Sequence, residues 1–254
     1  MYYEIHGEGE PLLLIMGIGG DATAWDLQVQ SLKEHFKVII FDNRDVGRST
    51  AENDPYSIKD MAVDTVGLMD ALGLEHTHIL GASMGGTIAQ ELVLAYPERV
   101  HKLILACTLT HFGRFRVSPI HTWKWIRLND PENEAFPLEM LSWGMTHEFL
   151  KDTQAVDDML ADFRNPPFPV PAEAYARQAD ALLAFDALDR LGDIDTPTLV
   201  MVADQDILTP PWGSEELADA IPNAQLKVLS GGGHCFFWEI PEAFNQTVIE
   251  FLSA

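Results

Sequence analysis

Short apolar segments of strand length alternate with segments of helical period along most of this 254-residue chain. The apolar segments are rich in aliphatic and β-branched residues and comprise Pro11–Met16, Lys37–Phe41, Thr77–Leu80, Lys102–Ala106, Thr198–Val202 and Gln225–Leu229. Most are nearly continuous rather than alternating, which is typical of strands covered on both faces of a parallel sheet. Because strands that alternate with helices form right-handed βαβ units, the pattern predicts an α/β fold with a doubly wound, mostly parallel sheet.

The alternation stops between about residues 111 and 188, before the last two predicted strands. A proline-rich stretch at residues 165–171 and a helical run from Glu173 to about Leu188 end this segment. The segment is rich in aromatic residues, namely Phe112, Phe115, Trp123, Trp125, Phe136, Trp143, Phe149 and Phe163. Such an insertion either forms a small core of its own or covers an apolar pocket, and we favour the second. We predict an α/β core of residues 1–111 and 189–254 with a helical cap, or lid, of residues 112–188.

Net charge excludes several classes of function. The 39 acidic and 16 basic side chains give a net charge of −23, so the chain lacks the basic surface that binds nucleic acid or an anionic membrane.

Cysteine content and apolar segments indicate the compartment. Cys107 and Cys235 are too few for a disulfide framework. The N-terminus does not resemble a signal peptide, and no window approaches the roughly 18 apolar residues of a membrane span. We predict a cytoplasmic protein with a small-molecule substrate; the sequence does not determine the oligomeric state.

The sharpest local motif spans residues 81–85 (Gly-Ala-Ser-Met-Gly), directly after the strand Thr77–Leu80 and directly before a helical segment. A G-x-S-x-G motif in that context is the nucleophile elbow. The chain turns so tightly there that a Cβ on either flank would clash, and glycines remove the clash. The weaker alternative is that Ser83 only caps a helix after a glycine turn. Ser83 is therefore the candidate nucleophile.

A serine hydroxyl needs a base to take its proton and an acid to orient that base. In the elbow architecture both follow the serine along the chain, the acid first and the histidine second. Of nine histidines, only His234 lies beyond position 147, in a glycine-rich loop after the last predicted strand. The loop after the preceding strand holds two candidate acids, Asp204 and Asp206. We favour Asp206 because it lies further into the loop and reaches better toward His234.

Acyl transfer also needs hydrogen-bond donors for the oxyanion. One is the backbone N–H of Met84, at the start of the helix after the serine. The other is expected from the glycine-rich loop of residues 16–20, where we favour the N–H of Ile18. The candidate residues of the substrate pocket are Gly17, Trp143 and Cys235. These residues imply no metal and no cofactor.

Three other patterns suggest different interpretations. Residues 17–22 follow a predicted strand with the glycine spacing of a dinucleotide-binding loop, and Asp42 ends the next strand. The helical signal starts too late for that interpretation, which also leaves the serine, acid and histidine unexplained. His76 and His78 share one strand face, but no further ligands match them, so we expect two solvated histidines. Residues 42–49 predict a structural turn whose charges pair with one another.

Taken together, these motifs resemble the α/β-hydrolase superfamily across nearly the whole chain, and within it the small esterases, enol-lactonases and related lactone or methyl-ester hydrolases. The segments that carry the resemblance are Leu13–Gly20, Asp42–Ser49, Gly81–Gly86, Pro197–Asp206 and Gly233–His234. The family pattern implies Ser83 as nucleophile, Asp206 as orienting acid and His234 as base. A serine at the elbow argues against the haloalkane dehalogenase and epoxide hydrolase branches, which use aspartate there.

Two positions depart from the family pattern. The first loop has Met16-Gly17 where the family usually has His-Gly, and the second has Arg44-Asp45 where it often has Arg-Gly. The first departure removes a side chain that often braces the oxyanion loop. We expect a serine hydrolase that cleaves a carboxylic ester or lactone of a small, largely apolar substrate through an acyl-enzyme intermediate. Carbon–carbon bond hydrolysis, perhydrolysis and a receptor role with weak hydrolysis are the alternatives, and an NAD-dependent oxidoreductase is favoured less.

Overall fold

The central sheet has the architecture that the apolar segments predict. The computed structural model describes residues 1–50, 53–112, 118–130 and 135–254. Within these residues one sheet contains β1 (Tyr3–His6), β2 (Pro11–Ile15), β3 (Lys37–Phe41), β4 (Thr77–Ala82), β5 (Val100–Ala106), β6 (Thr198–Ala203) and β7 (Gln225–Leu229). The spatial order is β1-β3-β2-β4-β5-β6-β7, and every neighbouring pair is parallel except β1 and β3. The predicted α/β fold with a mostly parallel sheet is confirmed.

Helices cover both faces of the sheet. In the described ranges they are α1 (Asp26–Leu32), α2 (Ile58–Ala71), α3 (Met84–Ala95), α4 (Pro119–Asn129), α5 (Ala135–Gly144), α6 (Thr153–Arg164), α7 (Ala172–Leu183), α8 (Pro211–Ala220), α9 (Phe236–Glu239) and α10 (Pro241–Ser253). Leu13 and Ile15 of β2 face the core shared with α2 and α3, whereas Leu12 and Leu14 face the core shared with α1 and α10. Because both faces are buried, every position of such a strand is apolar.

The edges of the sheet and one helix end differ from the sequence pattern. The sequence pattern does not predict β1. Its residues alternate between exposed and partly buried, so this edge strand has no continuous apolar segment. At the other edge, four of the five residues of β7 are exposed. Helix α7 ends at Leu183 rather than near Leu188, and that expectation is wrong. His111 and Asp186 form an isolated antiparallel bridge there, which holds the chain in an extended conformation just after the helix.

Helices α4 to α7 form an insertion between β5 and β6. Helix α4 packs against α7, and Trp123 and Tyr175 from these two helices join a core cluster of the sheet. The insertion also has a small apolar cluster of its own, which contains Leu141, Met145 and Leu160. Phe115, one of the aromatic residues of the sequence pattern, lies outside the described residues. In the part of the chain that is described, no helix is both long and apolar enough to cross a membrane.

Candidate active site

Ser83 lies at a sharp backbone turn between β4 and α3. Its φ of 55° and ψ of −120° lie in a region that residues with a side chain rarely adopt. A Cβ at Gly81 would lie 2.3 Å from the carbonyl oxygen of Gly85, and a Cβ at Gly85 would lie 2.0 Å from that of Ile15. Both positions therefore require glycine, which is the physical reason for the spacing of the motif.

Thr108, just beyond β5, holds this turn in place. Its hydroxyl donates to the carbonyl oxygen of Ser83 at 2.8 Å, and the N–H of Ser83 donates to the carbonyl oxygen of Ala106 at 2.9 Å. A Cβ at Gly86 would lie 2.6 Å from the Thr108 side chain, so the helix after the serine also packs closely here. Strained backbone persists only where its surroundings fix it, and Thr108 supplies such a contact. No motif in the sequence indicated this residue.

His234 follows β7 and is bound by an acid from the loop after β6. Its Nδ1 lies 2.9 Å from Oδ2 of Asp206, and both side chains are buried. The backbone N–H groups of Leu208 and Thr209 donate to Oδ1 of Asp206 at 2.9 and 2.8 Å, and the Thr209 hydroxyl donates to Oδ2 at 2.7 Å. Because the carboxylate accepts from Nδ1, the imidazole is held in the tautomer whose Nε2 accepts a proton. The sequence did not indicate Thr209.

Asp204, the alternative acid, has a different role. Its carboxylate accepts from the hydroxyl of Ser230 at 2.7 Å and from the N–H of Gly231 at 2.9 Å. The hydrogen bond from Ser230 is the main cause that lowers the pKa of Asp204. These contacts fix the start of the glycine-rich loop that carries His234. The structure brings Asp206, and not Asp204, to the histidine.

The loop of residues 16–20 lies against the elbow. A Cβ at Gly17 would lie 3.1 Å from Cβ and 3.5 Å from Oγ of Ser83, so glycine allows this close approach. The N–H of Gly20 donates to the carbonyl oxygen of Gly17 at 3.3 Å, which closes a turn around Ile18. Ile18 follows Gly17, which packs against Ser83, and Met84 follows Ser83 itself. The two predicted oxyanion donors therefore belong to residues next to this contact.

Two polar side chains brace this loop in the absence of a histidine at position 16. Asn43 donates through Nδ2 to the carbonyl oxygen of Met16 at 3.1 Å. Gln178 of α7 is fully buried; it accepts from the N–H of Gly19 at 2.9 Å and donates to the carbonyl oxygen of Arg44 at 2.9 Å. The helical insertion therefore holds the loop directly. Sequence reasoning missed Gln178 because it lies 159 residues from Gly19.

Arg177 anchors α7 beside this contact. Its guanidinium donates two hydrogen bonds of 2.8 Å to the buried carboxylate of Asp45, which also accepts from the hydroxyl of Tyr56 at 2.8 Å. Asp42 pairs with a partner inside residues 42–49, whereas Asp45 pairs with the insertion. The expectation that this turn neutralises its charges internally is therefore wrong for Asp45, because an arginine from a distant helix reaches it. It is also wrong for Arg44, which pairs with Asp64 of α2.

A cavity of about 1070 Å³ lies beside the elbow, between the sheet edge and the insertion. The predicted site residues that contribute to its wall are Gly17, Ile18, Ser83, His234 and Cys235. Much of the remaining wall is apolar and comes from the insertion, including Ile120, Trp123, Phe136, Met140, Met145 and Phe163.

Trp143, a predicted pocket residue, lies outside this wall. Its indole N–H donates to Glu139 at 3.1 Å, and its ring packs against the core. Its neighbours Met140 and Leu141 on α5 face the cavity instead.

The other sequence patterns have structural roles. Asp42 is buried and accepts from the N–H of Ala22 and from Arg48, so its carboxylate is not available to a ribose. His78 is 3% exposed and lies 3.1 Å from Glu10; the expectation of a solvated histidine is wrong for it, and burial lowers its pKa. Among the residues with described positions, no three or more histidine, cysteine or acidic side chains are arranged to hold a metal ion.

Comparison with known proteins places this chain in a family. The family model for the alpha/beta hydrolase fold matches residues 10–241, and the chain belongs to this family of hydrolases. A protein of Azorhizobium caulinodans, named as a candidate carbamate hydrolase RutD, is 35% identical over 99% of this chain and 94% of its own. The enol-lactonase from Burkholderia xenovorans LB400 has a TM-score of 0.90 and 27% identity, covering 100% of this chain and 96% of its own. A thermophilic esterase from Thermogutta terrifontis has a TM-score of 0.87 and 28% identity, covering 99% and 92%.

Proposed function

We propose that this chain is a serine hydrolase that cleaves a carboxylic ester or lactone of a small, largely apolar molecule through an acyl-enzyme intermediate. One observation carries the proposal: Ser83 and His234 share the wall of one cavity, and Asp206 binds Nδ1 of that histidine at 2.9 Å. The strained, glycine-flanked backbone of Ser83 supports the role of nucleophile. Similarity to an enol-lactonase and an esterase supports the reaction type.

The proposed reaction has two steps. Nε2 of His234 takes the proton of the Ser83 hydroxyl while the serine oxygen attacks the substrate carbonyl. The N–H groups of Met84 and Ile18 stabilise the oxyanion, and His234 protonates the leaving alkoxide. A water molecule activated by His234 then hydrolyses the acyl-enzyme. Asp206 keeps the proton on Nδ1 and stabilises the imidazolium that forms in each step.

The cavity indicates the kind of substrate. Its volume of about 1070 Å³ and its apolar wall suit a molecule with an alkyl, aromatic or ring group rather than a very small polar one. We propose that residues 112–188 act as a cap on a core of residues 1–111 and 189–254. The cap supplies this wall and excludes water from the site. The net charge of −23 disfavours a substrate with several negative charges.

A carbamate is the second candidate substrate class. The relative that is 35% identical to this chain is named for carbamate hydrolysis, and the same serine can attack a carbamate carbonyl. The carbamoyl-enzyme that forms is less electrophilic than an acyl-enzyme, because nitrogen donates electron density to the carbonyl. The apolar wall of the cavity favours the ester or lactone.

Acid release from matched panels tests the proposal. We expect turnover of p-nitrophenyl esters or of γ-, δ- or acyl-homoserine lactones, with lower kcat/KM for carbamates of the same apolar group. Ser83→Ala is expected to abolish turnover while the protein remains folded. Absence of turnover in every panel, or full activity of Ser83→Ala, would refute the serine mechanism. A higher kcat/KM for the carbamates would replace the ester by the carbamate as the substrate class.

A further inference from the structure

Three buried hydrogen-bond donors on residues of the cavity wall lack an acceptor within the described residues. They are Nε1 of Trp123, Nε of Arg127 and the hydroxyl of Tyr175. Trp123 and Arg127 lie one turn apart on α4, and Tyr175 lies on α7, which packs against α4. A buried donor without an acceptor costs free energy, and native proteins rarely leave one unpaired. Three such donors on two packed helices of the cavity wall are suited to bind a ligand that accepts hydrogen bonds.

Arg127 adds a positive charge to this group. One of its terminal nitrogens donates to the carbonyl oxygen of Val170, and its guanidinium carbon lies 5.1 and 5.9 Å from the ring centroids of Phe136 and Tyr175. It forms no ion pair with a carboxylate anywhere in the described ranges. Within the described residues five other arginines do form such pairs, namely Arg44, Arg48, Arg99, Arg177 and Arg190. A guanidinium in apolar surroundings needs an anion nearby.

Tyr175 lies next to the candidate oxyanion loop. A Cβ at Gly19 would lie 3.1 Å from Cε2 of Tyr175, so the tyrosine ring packs directly on that loop. The ring of Phe136 meets the Tyr175 ring edge-on at 5.3 Å and completes an apolar surrounding. The other charged residues of the wall in the insertion, Asp162 and Arg164, are exposed to solvent. Arg127 is instead partly buried, and its Nε and the Tyr175 hydroxyl are shielded from solvent.

We propose that Arg127, Tyr175 and Trp123 form a subsite for a carboxylate carried by the substrate, away from the bond that is cleaved. This inference rests on the proposed function, since it assigns the substrate class of the same cavity. A carboxylate has two oxygens that accept hydrogen bonds and pairs well with a guanidinium. One partly buried guanidinium among apolar side chains matches a single negative charge rather than a polyphosphate. The substrate is then an ester or lactone that also carries a free carboxylate.

Two esters of equal chain length test this subsite. Mono-p-nitrophenyl adipate carries the carboxylate, and p-nitrophenyl hexanoate replaces it by a methyl group. We expect the wild-type protein to prefer the adipate ester, through a lower KM. Arg127→Met is expected to lower kcat/KM for the adipate ester about 10- to 100-fold, the range for a hydrogen bond to a charged group. It should leave kcat/KM for the hexanoate ester within about twofold.

Two further variants make the result specific. Tyr175→Phe removes only the hydroxyl, so it should raise KM for the adipate ester without lowering thermal stability, because the hydroxyl has no partner to lose. Lys124→Met is the matched control: it removes the same charge from the same helix, but Lys124 pairs with the exposed Asp180. It should change neither ester by more than about twofold. Equal effects of Arg127→Met on both esters, or a wild-type preference for the hexanoate ester, would overturn the inference.

A binding measurement separates this inference from the serine mechanism. In Ser83→Ala, monomethyl adipate is expected to raise the melting temperature more than methyl hexanoate does. Addition of Arg127→Met should remove that difference. If neither ester is hydrolysed but this difference is present, the proposed reaction fails and the subsite stands. If the esters are hydrolysed and the difference is absent, the subsite fails and the hydrolase stands.

Discussion

Gln178 is a buried side chain of α7 that joins the helical insertion to the loop beside the elbow. Its Oε1 accepts from the N–H of Gly19 at 2.9 Å, and its Nε2 donates to the carbonyl oxygen of Arg44 at 2.9 Å. Gly19 follows Ile18, whose N–H is the proposed second donor to the oxyanion. Gln178→Met keeps the length of the side chain and removes both hydrogen bonds. We predict that it lowers kcat as well as stability.

The expected magnitudes follow from these two bonds. Each neutral hydrogen bond contributes about 1 kcal/mol, so the free energy of unfolding should fall by about 2 kcal/mol. For a chain of this size that lowers the melting temperature by about 4–8 °C. Complete loss of one oxyanion donor costs about 100- to 1000-fold in kcat. Since the loop keeps the bond from Asn43, a displaced rather than lost donor should cost about tenfold.

Arg177→Gln is the matched control for this experiment. It disrupts the neighbouring anchor of α7, the ion pair with the buried Asp45, without touching the loop. Loss of a buried ion-pair partner is strongly destabilising, so its melting temperature should fall at least as far, with kcat within about threefold. Steady-state kinetics on the best p-nitrophenyl ester and thermal unfolding by circular dichroism give both quantities. A wild-type kcat for Gln178→Met, or a kcat loss that tracks stability alike in both variants, would refute a positioning role.

Two further changes test the strain at the elbow and the buried histidine. Ser83→Gly should raise the free energy of unfolding by about 1 kcal/mol, because glycine adopts a φ of 55° without strain; Ser83→Ala keeps the Cβ, and an equal rise in its melting temperature would contradict this. The pKa of His78 lies below its ordinary value of 6.5, chiefly because burial disfavours the imidazolium, with His101 and Lys102 adding to this and Glu10 opposing it. The unfolded chain therefore binds more protons below about pH 6.5, and stability falls as the pH falls. His78→Leu should reduce that slope in urea unfolding between about pH 7 and pH 5, and an unchanged slope would show that other groups cause it.

The elbow was predictable because its constraint is local. The glycines flanking Ser83 contact carbonyl groups of the same turn and of the adjacent strand β2, so the required residue types appear together in the sequence. His234 was predictable because no other histidine lies in the last part of the chain. The choice of acid was not local in this sense. Asp204 and Asp206 are two residues apart, and the folded loop decides which carboxylate meets the imidazole.

The contacts that the sequence did not indicate join residues far apart in the chain. Thr108 reaches Ser83 across 25 positions and Gln178 reaches Gly19 across 159. A buried glutamine or threonine on an apolar helix or strand end has no spacing that marks its partner, because the partner is a backbone group. Trp143 was assigned to the pocket because it is aromatic. Its ring packs against the core instead, because of the direction in which α5 presents it.

By itself, the order of residues determined the α/β class, the strands β2 to β7, and the elbow, because these depend on hydrophobic periodicity and on steric limits within a few residues. Only the tertiary structure decided which acid holds His234, what braces the glycine loop, and where Arg127 and Tyr175 lie in the cavity wall. Those outcomes depend on which distant segments meet once both faces of the sheet are covered. A hydrogen bond between groups more than a hundred residues apart leaves no periodic trace along the chain.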